Sequence, residues 1–305
     1  MSVAPTRRPD IRCPRPERRP TAAITPARHP YTWWQANALR LVILVCILIV
    51  AFPLLWMLLT SFKTPAETMQ TPPVWFPQEP GFESYRSVAD VLNLGRSFLN
   101  SAIIATVTTS GILVTSLMAG YVFAKHRFPG RDVLFFTLIA TMFLPPIVTL
   151  IPLFRMVGSL GLGGELAGVI LPHLANAFGI FLMRQFILDF PDELIEAARV
   201  DGASEFRILF QIVTPGVLPA IAALTMFAFV FHWNSYLWPL TILQGNEQNY
   251  PIVLSITRLL SYTRSAQNTG LVMAGATLAV LPPLTLFVFL QRYFVRTISR
   301  TGITG

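Results

Sequence analysis

The residues best suited to chemistry lie in one charged stretch, residues 189–204, between two long apolar runs of the sequence. Its first part carries the carboxylates Asp189, Asp192 and Glu193, a group that can hold a metal ion with its phosphate ligand. Its second part reads Glu196-Ala197-Ala198-Arg199-Val200-Asp201-Gly202-Ala203-Ser204, a small amphipathic segment that a second protein can bind. An enzyme and a protein-binding helix are therefore both open at this point.

No other reactive group of residues is apparent. Cys13 lies in a polar region and Cys46 in an apolar run, with no pairing pattern and no metal-ligand spacing. His173, next to Pro172, is interpreted as a hydrogen-bonded packing residue, and His126 as part of a basic turn. The phosphate-binding pattern G-x-x-x-x-G-K-S/T does not occur. We therefore predict no ATPase site, no catalytic residues, and no cofactor or metal in this chain.

The composition is that of a membrane protein. Of the 305 residues, 53% are hydrophobic and 12% are charged, whereas soluble domains carry about a quarter charged residues. A net charge of +8 can attract nucleic acid, but eight arginines precede Leu41 and the other cations flank apolar runs. We interpret the basic charge as a determinant of membrane orientation and predict no nucleic-acid partner.

Six apolar runs are long enough to cross a bilayer, which takes roughly 20 residues. The runs are continuous, and backbone groups in lipid must be paired within their own segment, so helices are predicted. The predicted fold is an all-α integral membrane protein with six transmembrane helices, at about 38–61, 98–124, 133–157, 165–186, 213–237 and 270–294. Prolines inside these runs, such as Pro145-Pro146 and Pro282-Pro283, favour kinks.

Lysine and arginine determine the predicted orientation. With both termini in the cytoplasm, the inner segments hold 17 of the 23 cations and the outer segments hold 6, as the positive-inside rule requires. Residues 1–37 are predicted to be a disordered basic cytoplasmic tail, residues 38–296 the transmembrane domain, and residues 297–305 a cytoplasmic C-terminal tail. The charged stretch then lies in the cytoplasm as well.

The charged stretch is predicted to form two short helices. Pro191 suits the first turn of one helix, and Ser204 suits the cap of the next. Gly202 allows a sharp turn between them. The stretch is therefore expected to lie as a bent helical pair at the membrane surface.

The first of these helices has a polar side and a side of small residues. Glu196 and Arg199 are spaced to pair with each other. Ala197 and Ala198 give a face with little bulk, which a partner can approach closely. An ordinary amphipathic surface helix fits the same pattern.

Residues 196–219, EAARVDGASEFRILFQIVTPGVLP, resemble the EAA motif of binding-protein-dependent ABC importers. The residues that match the motif and its carbohydrate branch are Glu196, Ala197, Ala198, Asp201, Gly202 and Ala203. One departure is Thr214, which precedes Pro215 where the family often has Leu. Residues 60–63, 100–101, 119–124 and 233–240 are similar to the maltose-type second permease subunit, and the resemblance covers about residues 40–300.

This resemblance implies a permease subunit of an ATP-driven sugar importer in the bacterial cytoplasmic membrane. Its implied partners are a second permease subunit, a pair of ATPase subunits, an extracytoplasmic solute-binding protein, membrane lipid and a sugar substrate. The six motif residues would form an ATPase-coupling helix that docks in a groove of the ATPase. ATP and Mg would be bound by that partner.

Polar residues near the fifth run suit contact with a solute or its binding protein. The candidates, which carry hydroxyl-binding or aromatic groups, are Asn234, Tyr236, Gln244, Asn246, Gln248, Asn249 and Tyr250. Those between 244 and 250 fit an ordinary solvated loop equally well. Trp238 is interpreted as part of an interfacial aromatic belt.

Two other function classes are consistent with parts of the sequence. A polytopic enzyme acting on lipid-linked sugars would use carboxylates such as Asp189, Asp192 and Glu193, but these lie where the predicted coupling helix begins. An ion-coupled secondary carrier usually needs an ionisable residue at mid-membrane. No Asp, Glu or Lys lies near the centre of a predicted span, which disfavours that class.

Overall fold

The computed structural model of the protein describes residues 33–262 and 269–301, and within these residues no strand occurs. Residues 1–32 and 302–305, and with them most of the predicted N-terminal tail, lie outside the described residues. Residues 33–37, predicted as tail, are helical. Within the described ranges the α-helices are α1 (Trp33–Ser61), α2 (Pro65–Thr68), α3 (Glu83–Leu92), α4 (Leu94–Lys125), α5 (Arg131–Ala140), α6 (Pro146–Ser159), α7 (Leu166–Ile170), α8 (Ala177–Leu188), α9 (Asp192–Val200), α10 (Glu205–Arg207), α11 (Thr214–Gly216), α12 (Leu218–Trp233), α13 (Leu237–Ile242), α14 (Ile252–Tyr262) and α15 (Thr269–Thr301).

The apolar helices lie at about the positions of the predicted apolar runs, and two of the runs are sharply bent. In the described part of the chain, four stretches are long and apolar enough to cross a membrane: Trp33–Ser61, Leu94–Lys125, Leu166–Leu188 and Thr269–Tyr293. Two more pass only as bent pairs, Arg131–Phe143 with Pro146–Ser159 at 103° and Glu205–Gly216 with Leu218–Trp233 at 85°. The all-α membrane class is confirmed, and the count of six spans stays a prediction.

Proline explains the first bend. Leu144 and Pro145 have extended backbone, with ψ of 120° and 133°, and each precedes a proline. The ring of a proline clashes with a helical residue before it, so the chain leaves the helix and restarts at Pro146. The predicted fifth span, 213–237, also differs, because its helix ends at Trp233 and a separate short helix begins at Leu237.

Packing divides the chain into two units, Met1–Ala51 and Phe52–Gly305. In the first unit, the side chains of α1 from Leu39 to Val50 are exposed and almost all apolar. Such a surface suits lipid or another membrane helix. In the second unit, α4 packs against α8 and α12, and α12 packs against α15.

Small residues bring α4 and α8 close together. A Cβ atom added to Gly120 would lie 2.8 Å from Cβ of Met183, and one added to Gly179 would lie 2.3 Å from Oγ of Ser116. Ser116 and Gly120 are four residues apart on α4, the small-xxx-small spacing that lets membrane helices pack at short range. These helices form a close-packed frame for the sites described below.

An ordered loop follows α1. The carboxylate of Glu67 accepts hydrogen bonds from the backbone N–H of Thr64 at 2.9 Å, Gln78 at 2.6 Å and Glu79 at 3.2 Å. Thr64 caps α2 in return by accepting from the N–H of Glu67. The Nζ of Lys63 donates to the carbonyl of Val74 at 2.6 Å. Two buried charges therefore hold residues 64–79 in one conformation.

We expect Glu67→Gln to loosen this loop at neutral pH. Burial acts to raise the pKa of the Glu67 carboxyl, but its backbone hydrogen bonds outweigh burial and hold the pKa below the usual 4.5. A lowered folded-state pKa means that the stabilisation is present above about pH 4.5 and is lost as the pH falls further. Weakening one charge-assisted bond should raise the rate of proteolysis in this loop by roughly tenfold at pH 7.

The control is Glu79→Gln, which removes the same charge from an exposed position in the same loop. Limited proteolysis of residues 64–79 measures the difference. The wild-type loop should become sensitive below pH 4.5, whereas the Glu67→Gln loop should be sensitive throughout. Equal cleavage of the two variants at pH 7 would contradict the role given to Glu67.

Candidate functional site

The α9 helix is attached to the end of α4 at its first turn. The side chain of Lys125 is 7% exposed, and its Nζ donates to Oδ1 of Asp192 and to the carbonyl of Phe190, both at 2.6 Å. Pro191 stands immediately before the helix, and Asp192 and Glu193 lie in its first turn. Carboxylates near the positive end of a helix dipole are favourable. The predicted start of this helix is confirmed.

The other end of α9 is a glycine-based stop. Gly202 has φ of +79°, its N–H bonds the carbonyl of Arg199, and the N–H of Ala203 bonds the carbonyl of Ala198. This pair of bonds is the Schellman motif, in which the left-handed residue is usually glycine. Ser204 then caps the next helix by accepting from the N–H of Arg207 at 3.4 Å. Both the predicted turn and the predicted cap are confirmed.

The two alanines of the motif face in different directions, contrary to the single small face expected. Ala198 is 7% exposed and packs with Ile195 in a core cluster that also holds Tyr121 and Ile208. Ala197 is exposed, because consecutive residues of a helix are about 100° apart. A partner can therefore reach the side chain of Ala197 but not that of Ala198.

Exposed apolar side chains accompany Ala197 in α9 and in the short helix that follows it. Leu194 is 52% exposed, Val200 88% and Phe206 64%. We name these four residues, Leu194, Ala197, Val200 and Phe206, the α9 surface. Large apolar side chains at such exposure on and next to a short charged helix indicate an interaction site.

Glu205 is a hub that the sequence did not reveal. Its carboxylate accepts from Nε of Arg199 at 2.8 Å and from the hydroxyl of Tyr121 at 2.7 Å, and Nε2 of His126 lies 3.4 Å away. The predicted pair of Glu196 with Arg199 is wrong, because Arg199 binds Glu205 instead. Glu196 is exposed and borders a polar cleft with Lys125. Tyr121 and His126 are distant from Glu205 in sequence, and Arg199 lies six residues before it across a turn, so helical spacing gives no signal for this site.

The residues proposed for the solute side do not form one exposed surface. Nδ2 of Asn246 and Nδ2 of Asn249 donate to the carbonyl of Gly164, at 3.1 and 2.8 Å. Tyr250 is 7% exposed and lies in a core cluster. Only Gln244 and Gln248 of this loop set are exposed. Contact of the loop with a binding protein stays a prediction, with these two glutamines best placed for it.

The prediction that Trp238 belongs to an interfacial aromatic belt is wrong. The residue is 9% exposed, and its Nε1 donates to the carbonyl of Val169 at 3.2 Å. His173 also binds this carbonyl, through Nδ1 at 3.3 Å, as expected for a hydrogen-bonded packing residue. Asn234 and Tyr236 are exposed and line a cavity beside these residues.

The candidate carboxylates of the charged stretch are not gathered into a metal site in the part of the chain that the structure describes. In the described ranges, no group of three or more His, Cys, Asp or Glu residues could hold a metal ion. Asp192, one of the three candidate carboxylates, is paired with Lys125. The geometry of this stretch is that of an anchored helix with one exposed apolar side.

Residues 111–300 match the family described as "Binding-protein-dependent transport system inner membrane component". The chain belongs to this family, and it is a permease subunit of a binding-protein-dependent ABC importer. The match includes the whole of α9 and the turn that follows it.

Curated relatives include three transport permeases. The chain is 33% identical to the sn-glycerol-3-phosphate transport system permease protein UgpE of Brucella melitensis, over 86% of this chain and 95% of that one. It is 35% identical to the osmoprotective compounds uptake permease protein GgtD of Synechocystis, over 87% and 91%. It is 31% identical to the arabinooligosaccharides transport system permease protein AraQ of Bacillus subtilis, over 88% and 95%.

Solved structures share the fold. A chain of a bacterial ABC transporter for import of the acidic polysaccharide alginate superposes with a TM-score of 0.75 at 24% identity, covering 87% of this chain and 99% of that chain. A chain of the alginate transporter in complex with its pentasaccharide-bound periplasmic protein gives 0.62 at 16% identity, covering 87% and 95%. These likenesses establish the architecture of the membrane domain.

Proposed function

We propose that this permease subunit imports a sugar or a polyol and takes its energy from a separate ATPase that docks on the α9 surface. The observation that carries the proposal is the construction of α9. Ile195 and Ala198 fix one side of the helix in the chain's own core, while Leu194, Ala197 and Val200 leave the other side exposed. When a bound partner displaces a helix that is held in this way, the displacement is transmitted to the membrane helices.

Both ends of α9 are attached to the transmembrane frame. Lys125 at the end of α4 holds the first turn through Asp192. Glu205 holds the last turn through Arg199 and reaches back to Tyr121 of α4. A displacement of the α9 surface would therefore move α4, and α4 packs along both α8 and α12.

The partners follow from the proposed role. A second permease subunit would complete the pathway, and a pair of ATPase subunits would bind ATP and Mg. A solute-binding protein would deliver the substrate to the opposite side, near the exposed Gln244 and Gln248. With both termini in the cytoplasm, the α9 surface would lie inside the cell. The relatives that carry an arabinooligosaccharide, osmoprotective compounds or sn-glycerol 3-phosphate support a small hydroxyl-rich substrate.

Affinity purification of the tagged chain from membranes of its own host tests this proposal. We expect an ATPase and a second permease to co-purify. Proteoliposomes of this complex, supplied with the solute-binding protein, should take up a sugar or polyol when ATP is inside. ATP hydrolysis or uptake by the single purified chain would overturn the proposal, as would a purified complex without an ATPase.

Cysteine labelling tests the orientation in the same preparation. In a background with Cys13→Ser and Cys46→Ser, an impermeant thiol reagent should reach Asp132→Cys, an exposed position outside the α9 surface, only from the cytoplasmic side. It should reach Gln244→Cys only from the outer side. Labelling of both positions from one side would contradict the proposed topology.

A further inference from the structure

A cavity of about 480 Å³ lies among the broken helices. It is bordered by α6, by the turn Leu171–His173, by the end of α12 and by α13. Pockets that hold small molecules have volumes of roughly 300–1,000 Å³ and are mostly apolar, with a few polar groups. This cavity has that size, and its apolar wall includes Ile104, Leu150 and Leu153.

The polar groups of the cavity begin with His173. Its Nδ1 lies 3.3 Å from the carbonyl oxygen of Val169. A carbonyl only accepts, so Nδ1 carries the proton, and the other ring nitrogen, Nε2, is an acceptor. The carbonyl of Val169 also accepts from Nε1 of Trp238, which fixes the wall beside the histidine.

His232 is the more informative residue. It is 9% exposed, and its ring packs edge-on against that of His173, with the ring centroids 5.5 Å apart. Within the described residues neither of its ring nitrogens has a hydrogen-bond partner. Neither nitrogen is fully enclosed, so the neutral ring offers one donor and one acceptor to a molecule in the space that it borders. The imidazole also borders a second cavity of about 270 Å³ that contains Asn176.

Two further hydrogen-bonding groups lie beside the histidines. Asn234 uses its Nδ2 to donate to the carbonyl of Val230 at 3.0 Å, which leaves its Oδ1 as an acceptor. Tyr236 brings a hydroxyl on a ring that is 41% exposed. Together with the histidines they provide both donors and acceptors on the wall of an otherwise apolar space.

The lack of charged side chains in the described wall of the cavity limits the class of ligand that can bind there. No Asp, Glu, Lys or Arg is among the described residues that line the cavity. An anion entering it would lose hydration without gaining a cation partner, which is costly. A neutral molecule with several hydroxyl groups would instead find a donor or acceptor for each of them and an apolar wall for its carbon skeleton.

We propose that His232 and His173, with Asn234 and Tyr236, form a solute subsite in this subunit for a neutral polyhydroxylated molecule, a sugar or a polyol. The subsite rests on the proposed function, since it assumes that the chain lines a solute pathway. In this role, the unpaired nitrogens of His232 bind hydroxyl groups of the solute. His173 adds an acceptor and is held in place by Val169.

The test uses proteoliposomes of the complete transporter with its solute-binding protein. The probes are glucose, maltose, mannitol, arabinotriose and sn-glycerol 3-phosphate. The variants are His232→Leu, which keeps bulk without hydrogen bonds, and His232→Gln, which keeps a donor and an acceptor. Thr241→Val is the matched control, because it removes a hydroxyl from α13 outside the cavity wall.

We expect the wild-type transporter to take up at least one neutral probe, with preference over sn-glycerol 3-phosphate. For that probe His232→Leu should raise the KM of uptake by about tenfold or more, because a buried hydrogen bond to the solute is lost. His232→Gln should recover most of the affinity, and Thr241→Val should resemble wild type. ATP hydrolysis without binding protein should stay within about twofold in all variants, which shows that assembly is intact.

A KM within twofold of wild type for His232→Leu would overturn the subsite while leaving the proposed function in place. Uptake of sn-glycerol 3-phosphate alone would overturn the neutral ligand class. Failure of the wild-type complex to take up any probe would instead count against the proposed function, and the subsite would fall with it. The two failures are therefore distinguishable by the wild-type result.

Discussion

Ala197→Asp and Val200→Asp are each expected to release the ATPase from the purified complex and to lower solute uptake more than about 100-fold. Both residues belong to the α9 surface, and Val200 is 88% exposed in this chain. If the ATPase covers them, an aspartate would be buried there without a partner. An uncompensated buried charge costs about 3–5 kcal/mol, which corresponds to more than a hundredfold in binding.

The same substitutions should leave the chain itself intact, because neither side chain contributes to its core. The measurements are the amount of ATPase retained on the affinity-purified chain and the rate of uptake. Phe76→Asp is the control, since Phe76 is 70% exposed in the loop after α1, away from the α9 surface. Normal ATPase retention in both α9 variants would make α9 an ordinary surface helix.

Ala198 is a less suitable position than Ala197 or Val200 for testing ATPase docking, because its side chain is buried. From sequence, Ala197 and Ala198 were expected to share one accessible face. In the structure Ala198 packs with Ile195, Tyr121 and Ile208. A larger residue at Ala198 would overfill this chain's own core, at a cost of about 1–3 kcal/mol. Loss of ATPase binding in such a variant would report misfolding as readily as a lost contact.

The local structure of the charged stretch was predictable because its signals are local. Pro191 before the helix, Gly202 after it and Ser204 at the next cap each act within one turn of the backbone. The long apolar runs were predictable for the same reason, since hydropathy needs no knowledge of tertiary contacts. These features define the class of protein and the position of α9.

The features that were missed depend on tertiary contacts, most of them between residues distant in sequence. Arg199 lies at pairing distance from Glu196 along the helix, yet Glu205 offers it a shared site with Tyr121 across the turn. Trp238 looks like an interface residue in sequence, but the carbonyl of Val169 sits where its indole N–H can be satisfied in the core. The side chains of Asn246 and Asn249 close a loop onto Gly164 for the same reason.

These long-range contacts suggest how a movement of α9 reaches the pathway. Glu205 ties the last turn of α9 to α4 through Tyr121. Lys125 ties the first turn to the end of α4 through Asp192. The α12 helix, which packs on α4, ends at Trp233, next to His232 in the proposed subsite. The α9 surface and the cavity are thus connected through α4 and α12 within one packed frame.

We expect the double variant Lys125→Met with Glu205→Leu to keep the ATPase bound and to lose transport. The α9 surface is untouched, so docking should persist. The helix, however, would be held only by the apolar contacts of Ile195 and Ala198. A displacement of α9 would then no longer be transmitted to α4 through fixed polar contacts. The amount of solute imported per ATP hydrolysed should fall more than about tenfold, against a few-fold for each single variant, because neighbouring attachments do not act additively.

The fold should survive these changes, because Asp192 and Glu205 are themselves largely exposed and the apolar cluster that holds Ile195 and Ala198 is left unchanged. Asp132→Leu is the matched control, since it breaks the exposed pair of Arg131 with Asp132 at 2.9 Å without touching α9. The measurements are uptake and ATP hydrolysis in the same proteoliposomes, with ATPase retention as the check on docking. If the double variant imported as much solute per ATP as wild type, the two polar attachments would not transmit the motion, and apolar packing beneath α9 would be sufficient for coupling.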